Sequence, residues 1–253
     1  MTPPMARTLR SWAGLARSLV IYRARPWRIA RLSRFYAGIV APGDLAFDIG
    51  AHAGNRTRAL VAAGARVVAL EPQALFHGFL RRDLPPGVTL LRAAAGPQPG
   101  SARLAVSRLH PTVSSLSTGF AARMATAPGF AAVRWDAAET VELTTLDALI
   151  AEHGPPRFIK IDVEGFEAEV LAGLHRPVPW VAFEYLPAAL DLVAACVARL
   201  ASLGRYEFNL VRGETLAFAL PRWLGADVFL PVLATQAADG RPGDVYARLA
   251  ADA

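Results

Sequence analysis

Four stretches of this 253-residue chain place reactive side chains at close spacing. In LAFDIGAHAG an apolar run ends in Asp48, and a turn follows that is punctuated by Gly50 and Gly54. In VVALEP a second apolar run ends in Glu71, and in WVAFEYL another approaches its end at Glu184. FIKIDVEGFE sets Lys160, Asp162 and Glu164 two residues apart. On a strand, Lys160 and Asp162 share one face, and Asp162 and Glu164 fall at or just past its carboxyl end. Charges in an apolar strand are costly unless they are paired or act on a ligand. Lys160 is also the only lysine among 27 basic residues, in a place where a compact ammonium does what a guanidinium cannot. The bland alternative is a structural ion pair of Lys160 with Asp162 or Glu184.

The loop after Asp48 decides which ligand suits it. A dinucleotide site prefers GxGxxG, so that backbone and helix N-terminus meet a pyrophosphate. Here the spacing is GxxxG, and Asp48 would repel phosphate. A carboxylate there suits a ligand with an amino acid ammonium and no phosphate, and S-adenosylmethionine is such a ligand. Gly50 and Gly54 let it approach the backbone closely. Glu71, about 20 positions beyond the loop, is placed to accept hydrogen bonds from ribose hydroxyls. His52 either touches the ligand or fills the loop. Two rivals come from other classes: a nicotinamide-dependent oxidoreductase, which the loop spacing disfavours, and a non-catalytic S-adenosylmethionine-binding or scaffold protein.

These residues need strands that end along one edge. Strand patterns at LAFDIG, ARVVALEP, GVTLLRAAA, TVELTT, FIKID and WVAFEYL alternate with helical patterns at 54–63, ALFHGFLRRDL, TLDALIAEHG, FEAEVLAGL and LDLVAACVARLASLG. Such alternation predicts an α/β fold: a mostly parallel sheet with helices on both faces. ARLAVSRL suggests an extra strand or hairpin. YEFNLVRG and ETLAFAL read as a terminal antiparallel hairpin at the sheet edge. The tail from about residue 234 reads as loose. Residues 109–139 form a Ser/Thr/Ala/Gly-rich connection long enough for a lid or substrate loop, and its His110 is an alternative base.

The hydrophobic content of 53% is enough for a core that folds alone. The charge is uneven. Arg7, Arg10, Arg17, Arg23, Arg25, Arg28, Arg31 and Arg34 all precede the first acidic residue, Asp44, so the net charge of +6 belongs to the N-terminus. Residues 1–40 therefore read as an Arg-rich helical extension of one or two amphipathic helices, and 41–253 as the domain. Trp12, Leu15, Leu19, Trp27, Ile29, Leu32, Phe35 and Tyr36 are the extension's expected anchors. It is expected to cap the domain, to touch an anionic membrane surface peripherally, or to meet an acidic substrate. No recognition motif accompanies the basic segment, so nucleic acid is not an expected partner. The lone cysteine, Cys196, sits in an apolar helical pattern and reads as core filling. No run is apolar enough for a membrane span and no signal peptide is evident, which makes the cytoplasm the default location. No HxxxH or CxxC spacing marks a metal site, although Asp162, Glu164 and Glu184 carry oxygens of the kind Mg²⁺ takes.

Taken in order, FDIGAHAGNRT, LEP, LTTLDAL, FIKIDVEGFEAEVLAGL and the strand carrying Glu184 resemble the FkbM-type S-adenosylmethionine-dependent methyltransferases over residues 44–220. DVEGFE with VLAG is the most specific block, and SSLS at 114–117 resembles the family's serine-rich element. The resemblance implies a Rossmann-like, seven-stranded methyltransferase fold, S-adenosylmethionine as cofactor, and methylation of a hydroxyl on a small molecule or glycan, typically a sugar or secondary metabolite. Carried over, Asp48, Gly50 and Gly54 belong to the cofactor loop and Glu71 to the ribose, with Asp162 and Glu164 in the signature block beside the methyl group. His52 and Asp162 are expected to touch the cofactor as well, and Asp162 or Glu164 to bind the acceptor or remove its proton, with Lys160 lowering the local pKa or orienting the carboxylate. The departure is His52, where the family commonly has asparagine.

Overall fold

The computed structural model describes residues 4–23, 27–124 and 133–250. Arg25 and residues 125–132 of the long connection lie outside them. Two helices come first, α1 (Pro4–Arg23) and α2 (Trp27–Tyr36). The alternating core follows as β1 (Leu45–Ile49), α3 (Asn55–Ala62), β2 (Arg66–Leu70), α4 (Ala74–Asp83) and β3 (Thr89–Leu91). Next come β4 (Ala94–Ala95), β5 (Gly100–Val106), α5 (Phe120–Met124), β6 (Ala137–Thr144) and α6 (Leu146–His153). The chain then runs through β7 (Phe158–Ile161), α7 (Glu167–Ala172), β8 (Trp180–Tyr185), α8 (Leu190–Leu203), β9 (Tyr206–Arg212), α9 (Ala226–Gln236) and β10 (Gly243–Leu249).

Seven strands form one sheet in the order β3-β2-β1-β7-β8-β10-β9. All neighbours run parallel except β10, which is antiparallel to both β8 and β9. The central strands are short and apolar because helices cover both faces. Alternation assigns the faces: Phe47, Ile49, Ile159, Ile161 and Phe183 join one core layer, and Ala46, Ala69, Phe158, Ala182 and Tyr246 the other. The chain leaves β1 for β2 on one side and returns to β7 on the other. The carboxyl ends of β1 and β7 therefore flank the switch point where open α/β sheets bind ligands.

The mostly parallel sheet with antiparallel C-terminal strands matches the expectation from sequence, but its last strand lies elsewhere. ETLAFAL folds back against β9 but does not continue as a strand: it makes one antiparallel bridge, Val211 to Phe218, and the Ala219 amide donates to the Leu210 carbonyl (2.8 Å). Beyond that the Asn209 side chain takes over, its amide nitrogen donating to the Leu220 carbonyl (3.0 Å) and its Oδ1 accepting from the Leu220 amide (3.1 Å). The arm is β10, inserted between β8 and β9. The stretch from residue 234 is likewise not loose, since Ala237 is buried after α9 and β10 buries Val245, Tyr246 and Ala247. Two further strands differ. The segment GVTLLRAAA divides into β3, paired with β2, and β4, paired with β6. The strand before α6 is β6, which joins a separate three-stranded sheet, β4-β6-β5.

The N-terminal helices pack onto the domain by part of the expected set. Leu15, Leu32 and Tyr36 are buried, and the Tyr36 ring lies 5.5 Å from that of Phe158. Trp12 and Trp27 instead face outward, 56% and 60% exposed. Cys196 is buried in α8. No helix among the described residues is long and apolar enough to cross a membrane.

Candidate active site

The loop after β1 is shaped by what passes beneath and beside it. Gly50 adopts φ 90°, and a Cβ there would overlap the carbonyl oxygen of Asp162. Only glycine lets the loop sit this close to the end of β7. The amides of Gly50 and Ala51 both donate to the Leu70 carbonyl (3.0 and 2.9 Å), which ties the loop to β2. Gly54 takes φ 79° as the N-cap of α3, where a Cβ would meet Leu80 at 2.8 Å. Asp48 is fully buried and accepts a hydrogen bond from the Thr57 hydroxyl on α3. Burial raises its pKa against the opposing pull of Thr57, Arg56 and Lys160. It lines neither of the two cavities described below, so its role runs through the loop it anchors.

Glu71 ends β2 with both oxygens engaged. Oε2 accepts from the His52 amide (2.7 Å) and Oε1 from the Gln73 amide (2.8 Å). Burial lifts its pKa to about 7 despite these two donors. Each oxygen keeps a lone pair free for a further donor. The His52 ring lies 4.3 Å from that of Phe76, and burial lowers its pKa to about 4, so it is neutral. Glu71 and His52 border a slot between Leu70, Leu104, Pro111, Leu116 and Phe166. Apolar walls of this kind could hold a flat ring, and the carboxylate at the edge could accept hydroxyl donors.

At the end of β7, Asp162, Glu164 and Glu184 each bring one oxygen to within 4.8 Å of the others. Their environments separate them. Burial would raise Asp162, but Lys160 and Arg56 outweigh it and hold the carboxyl below its ordinary value. Arg56 Nη2 stands 3.2 Å from Asp162 Oδ2, and Lys160 Nζ 3.7 Å. Glu164 and Glu184 are pushed well up, by burial first and then by neighbouring carboxylates. Three acids this close titrate as a unit and share protons. Glu164 has φ 55° and its carbonyl accepts from the Ser115 hydroxyl (2.6 Å), so the SSLS element holds this turn in place.

Lys160 is fully buried and reaches neither cavity. It donates to the Ile161 carbonyl (2.9 Å) and pairs with Asp244 on β10 (2.9 Å), a nearer partner than Asp162. Of the two partners expected from sequence, Asp162 pairs with Lys160 and Glu184 does not, while Asp244 was not foreseen. Asp244 also meets Arg56 at 3.4 Å. Neither Arg56 nor Asp244 was legible beforehand: Arg56 is one arginine among many, and Asp244 lies in a stretch that reads as a turn. His110 lies at the start of a short 3₁₀ turn (Pro111–Val113) and borders neither cavity, although Pro111 and Thr112 do.

A second cavity of about 170 Å³ adjoins the slot. The two share Gly50, His52, Thr112, Asp162 and Glu164. Its other wall comes from α2 and the segment after β9, so the N-terminal helices contribute to the site. A slot edged by a carboxylate, opening onto a second cavity across a carboxylate cluster, could hold a nucleoside in the first and a second ligand in the other.

No curated protein matches the sequence. Solved structures that resemble it include an O-methyltransferase from Bacillus cereus in complex with SAH (14% identity, 99% of this chain and 93% of that one, TM-score 0.48). Another is precorrin-6y C5,15-methyltransferase from Geobacter metallireducens (16% identity, 88% and 86%, TM-score 0.45). A third is a TehB-like SAM-dependent methyltransferase from Corynebacterium glutamicum (10% identity, 87% and 88%, TM-score 0.46). The profile of the methyltransferase FkbM domain matches residues 48–193, more than half of the chain and every acidic residue of the site except Asp244 and Glu214. The chain belongs to the FkbM family of S-adenosylmethionine-dependent methyltransferases.

Proposed function

We propose that this methyltransferase acts on a hydroxyl oxygen, of a sugar or a secondary metabolite, and that Asp162 and Glu164 bind the acceptor and remove its proton. The observation that carries this reading is the position of Glu164 and Asp162 on the boundary shared by the two cavities. Bound S-adenosylmethionine supplies a methyl group already activated by its sulfonium. The protein's task is then orientation and proton removal, because a neutral alcohol is a poor nucleophile. Asp162, held ionised by Lys160 and Arg56, accepts a hydrogen bond from the hydroxyl and orients it. Glu164, whose proton affinity its acidic neighbours raise, takes the proton when ionised, as oxygen gains the methyl and sulfur keeps the electron pair of the broken bond. Lys160 is a positioning residue on this account, acting only through Asp162 and Asp244.

Activity on a panel of hydroxyl acceptors, followed with a labelled methyl group, tests the assignment. Asp162→Asn and Glu164→Gln are each expected to lower turnover by about 10²-fold or more. Full turnover in both variants would refute it. The alternative of a non-catalytic S-adenosylmethionine-binding protein predicts cofactor binding without transfer to any acceptor.

Peripheral contact with an anionic membrane is part of the proposal for the N-terminus. Helix α1 turns Leu9, Trp12 and Val20 outward (65%, 56% and 67% exposed), with exposed Arg17 beside them. An apolar ridge bordered by cations suits an interface of acidic lipids. Equal liposome binding with and without residues 1–23 would sink this part.

A further inference from the structure

The second cavity has walls of opposite character. Toward the slot it presents Asp162 and Glu164. Toward α2 it presents Arg28 and Arg31, one helical turn apart, above the apolar floor of Ile29, Leu32 and Leu216. Arg31 is exposed and donates to the Thr215 carbonyl at 3.5 Å. Arg56, the third arginine on the lining, is committed to Asp162 and Asp244. Arg28 is partly buried and lines the cavity, and no carboxylate among the described residues pairs with it. Of the acids on the lining, Asp162 is answered by Arg56 and Lys160. Glu164 sits on the far wall, and Glu214 stands exposed without an ion pair to Arg28. A guanidinium enclosed beside a cavity without a counter-charge leaves that charge for a ligand to answer. Its planar fork matches a carboxylate or phosphate.

We propose that this cavity is an anion-accepting subsite, in which Arg28, with Arg31 behind it, engages a carboxylate or phosphate borne by the methyl acceptor. The proposal rests on the methyltransferase reading and deepens it: the substrate is an anionic hydroxyl compound, and the N-terminal extension helps select it. The hydroxyl to be methylated lies on the Asp162 and Glu164 side, and the anion on the α2 side.

The test uses the full-length protein saturated with S-adenosylhomocysteine, at constant ionic strength set with chloride. Inorganic phosphate and glucuronate, with glucose as the neutral control, are titrated while thermal unfolding is followed. Phosphate and glucuronate are expected to raise the melting temperature, and glucose to leave it unchanged. In Arg28→Gln the half-effect concentration is expected to rise about tenfold or more. Arg28→Lys is expected to fall between, and Arg176→Gln, exposed before the amino end of β8, to match the wild type. An equal response of wild type and Arg28→Gln, or no response in either, would overturn the subsite while leaving methyl transfer intact. Calorimetry with S-adenosylhomocysteine separates the other source of such an anion. If Arg28→Gln weakens its binding tenfold and phosphate competes with it, Arg28 serves the cofactor's own carboxylate and the acceptor assignment is wrong. A wild type that binds no S-adenosylhomocysteine would overturn both readings.

Discussion

Glu71 is the residue whose environment makes the sharpest quantitative claim. Burial lifts its pKa from the ordinary 4.5 to about 7, against the pull of two backbone donors. A carboxyl raised on folding binds its proton more readily in the folded state. Between pH 4.5 and about 7 the folded chain therefore holds more protons than the unfolded one. The stabilising contribution is complete below 4.5 and is lost as pH rises through 7. At about 1.4 kcal/mol per pH unit, that interval amounts to about 3 kcal/mol. The chain accepts this cost to hold a carboxylate at the rim of the apolar slot, where, if the slot takes adenosine, ribose hydroxyls would donate to its ionised form. Ligand binding then favours the ionised state, and apparent affinity should rise about tenfold from pH 6 to pH 8. Methylthioadenosine is the suitable probe, since it keeps the ribose and lacks the titrating amino acid group. In Glu71→Gln one of the two backbone donors loses its acceptor, which costs about 1–3 kcal/mol at every pH. The informative quantity is therefore the slope. Chemical denaturation across pH 4.5–8 should show the difference between wild type and Glu71→Gln shifting by about 3 kcal/mol, and calorimetry should show a pH-independent affinity in the variant. A parallel pair of stability curves would refute the burial argument. A flat wild-type affinity would refute the ribose contact.

Three further perturbations test the frame around the site. Gly50→Ala places a Cβ against the Asp162 carbonyl at φ 90°. It should cost more than about 2 kcal/mol in denaturation and remove S-adenosylhomocysteine binding. Asp244→Asn deprives buried Lys160 of its nearest anion, leaving Asp162 at 3.7 Å. A loss of about 3 kcal/mol is expected, whereas a change within 0.5 kcal/mol would show that Asp162 alone suffices as counter-ion. Ser115→Ala removes the donor to the Glu164 carbonyl and the acceptor of the Ser117 amide. It should cost about 1–2 kcal/mol and lower turnover more than cofactor affinity, since the turn it releases carries the proposed base.

What was legible beforehand and what was not divides along the range of the interactions. The strand ends at Asp48, Glu71 and Asp162 stood out because a carboxylate closing an apolar run is a local pattern, and each proved to sit at the carboxyl edge of the sheet. The glycine loop was readable for the same reason: Gly50 must be glycine because a backbone crosses it, and turns announce such positions. Lys160 was rightly conspicuous, but its nearest partner was not foreseeable. Asp244 reaches it from β10, 84 residues away, in a segment whose Gly-Arg-Pro-Gly start masks the alternating Val245 and Ala247 behind it. Mistaking that strand for a loose tail and misplacing the hairpin were one error, since the segment that inserts between β8 and β9 is the one that brings Asp244 to Lys160. The role of α2 was hidden in another way. An Arg-rich extension reads as a surface feature because solvation explains it at no cost. Only packing shows that Tyr36 and Leu32 dock the helix on the sheet and thereby carry Arg28 to the cavity wall. Docking and recognition are therefore coupled. A substitution that loosens Tyr36 from Phe158 should also move Arg28, so under the proposed subsite, selection of the acceptor depends in part on Tyr36, which precedes the segment that the family profile covers.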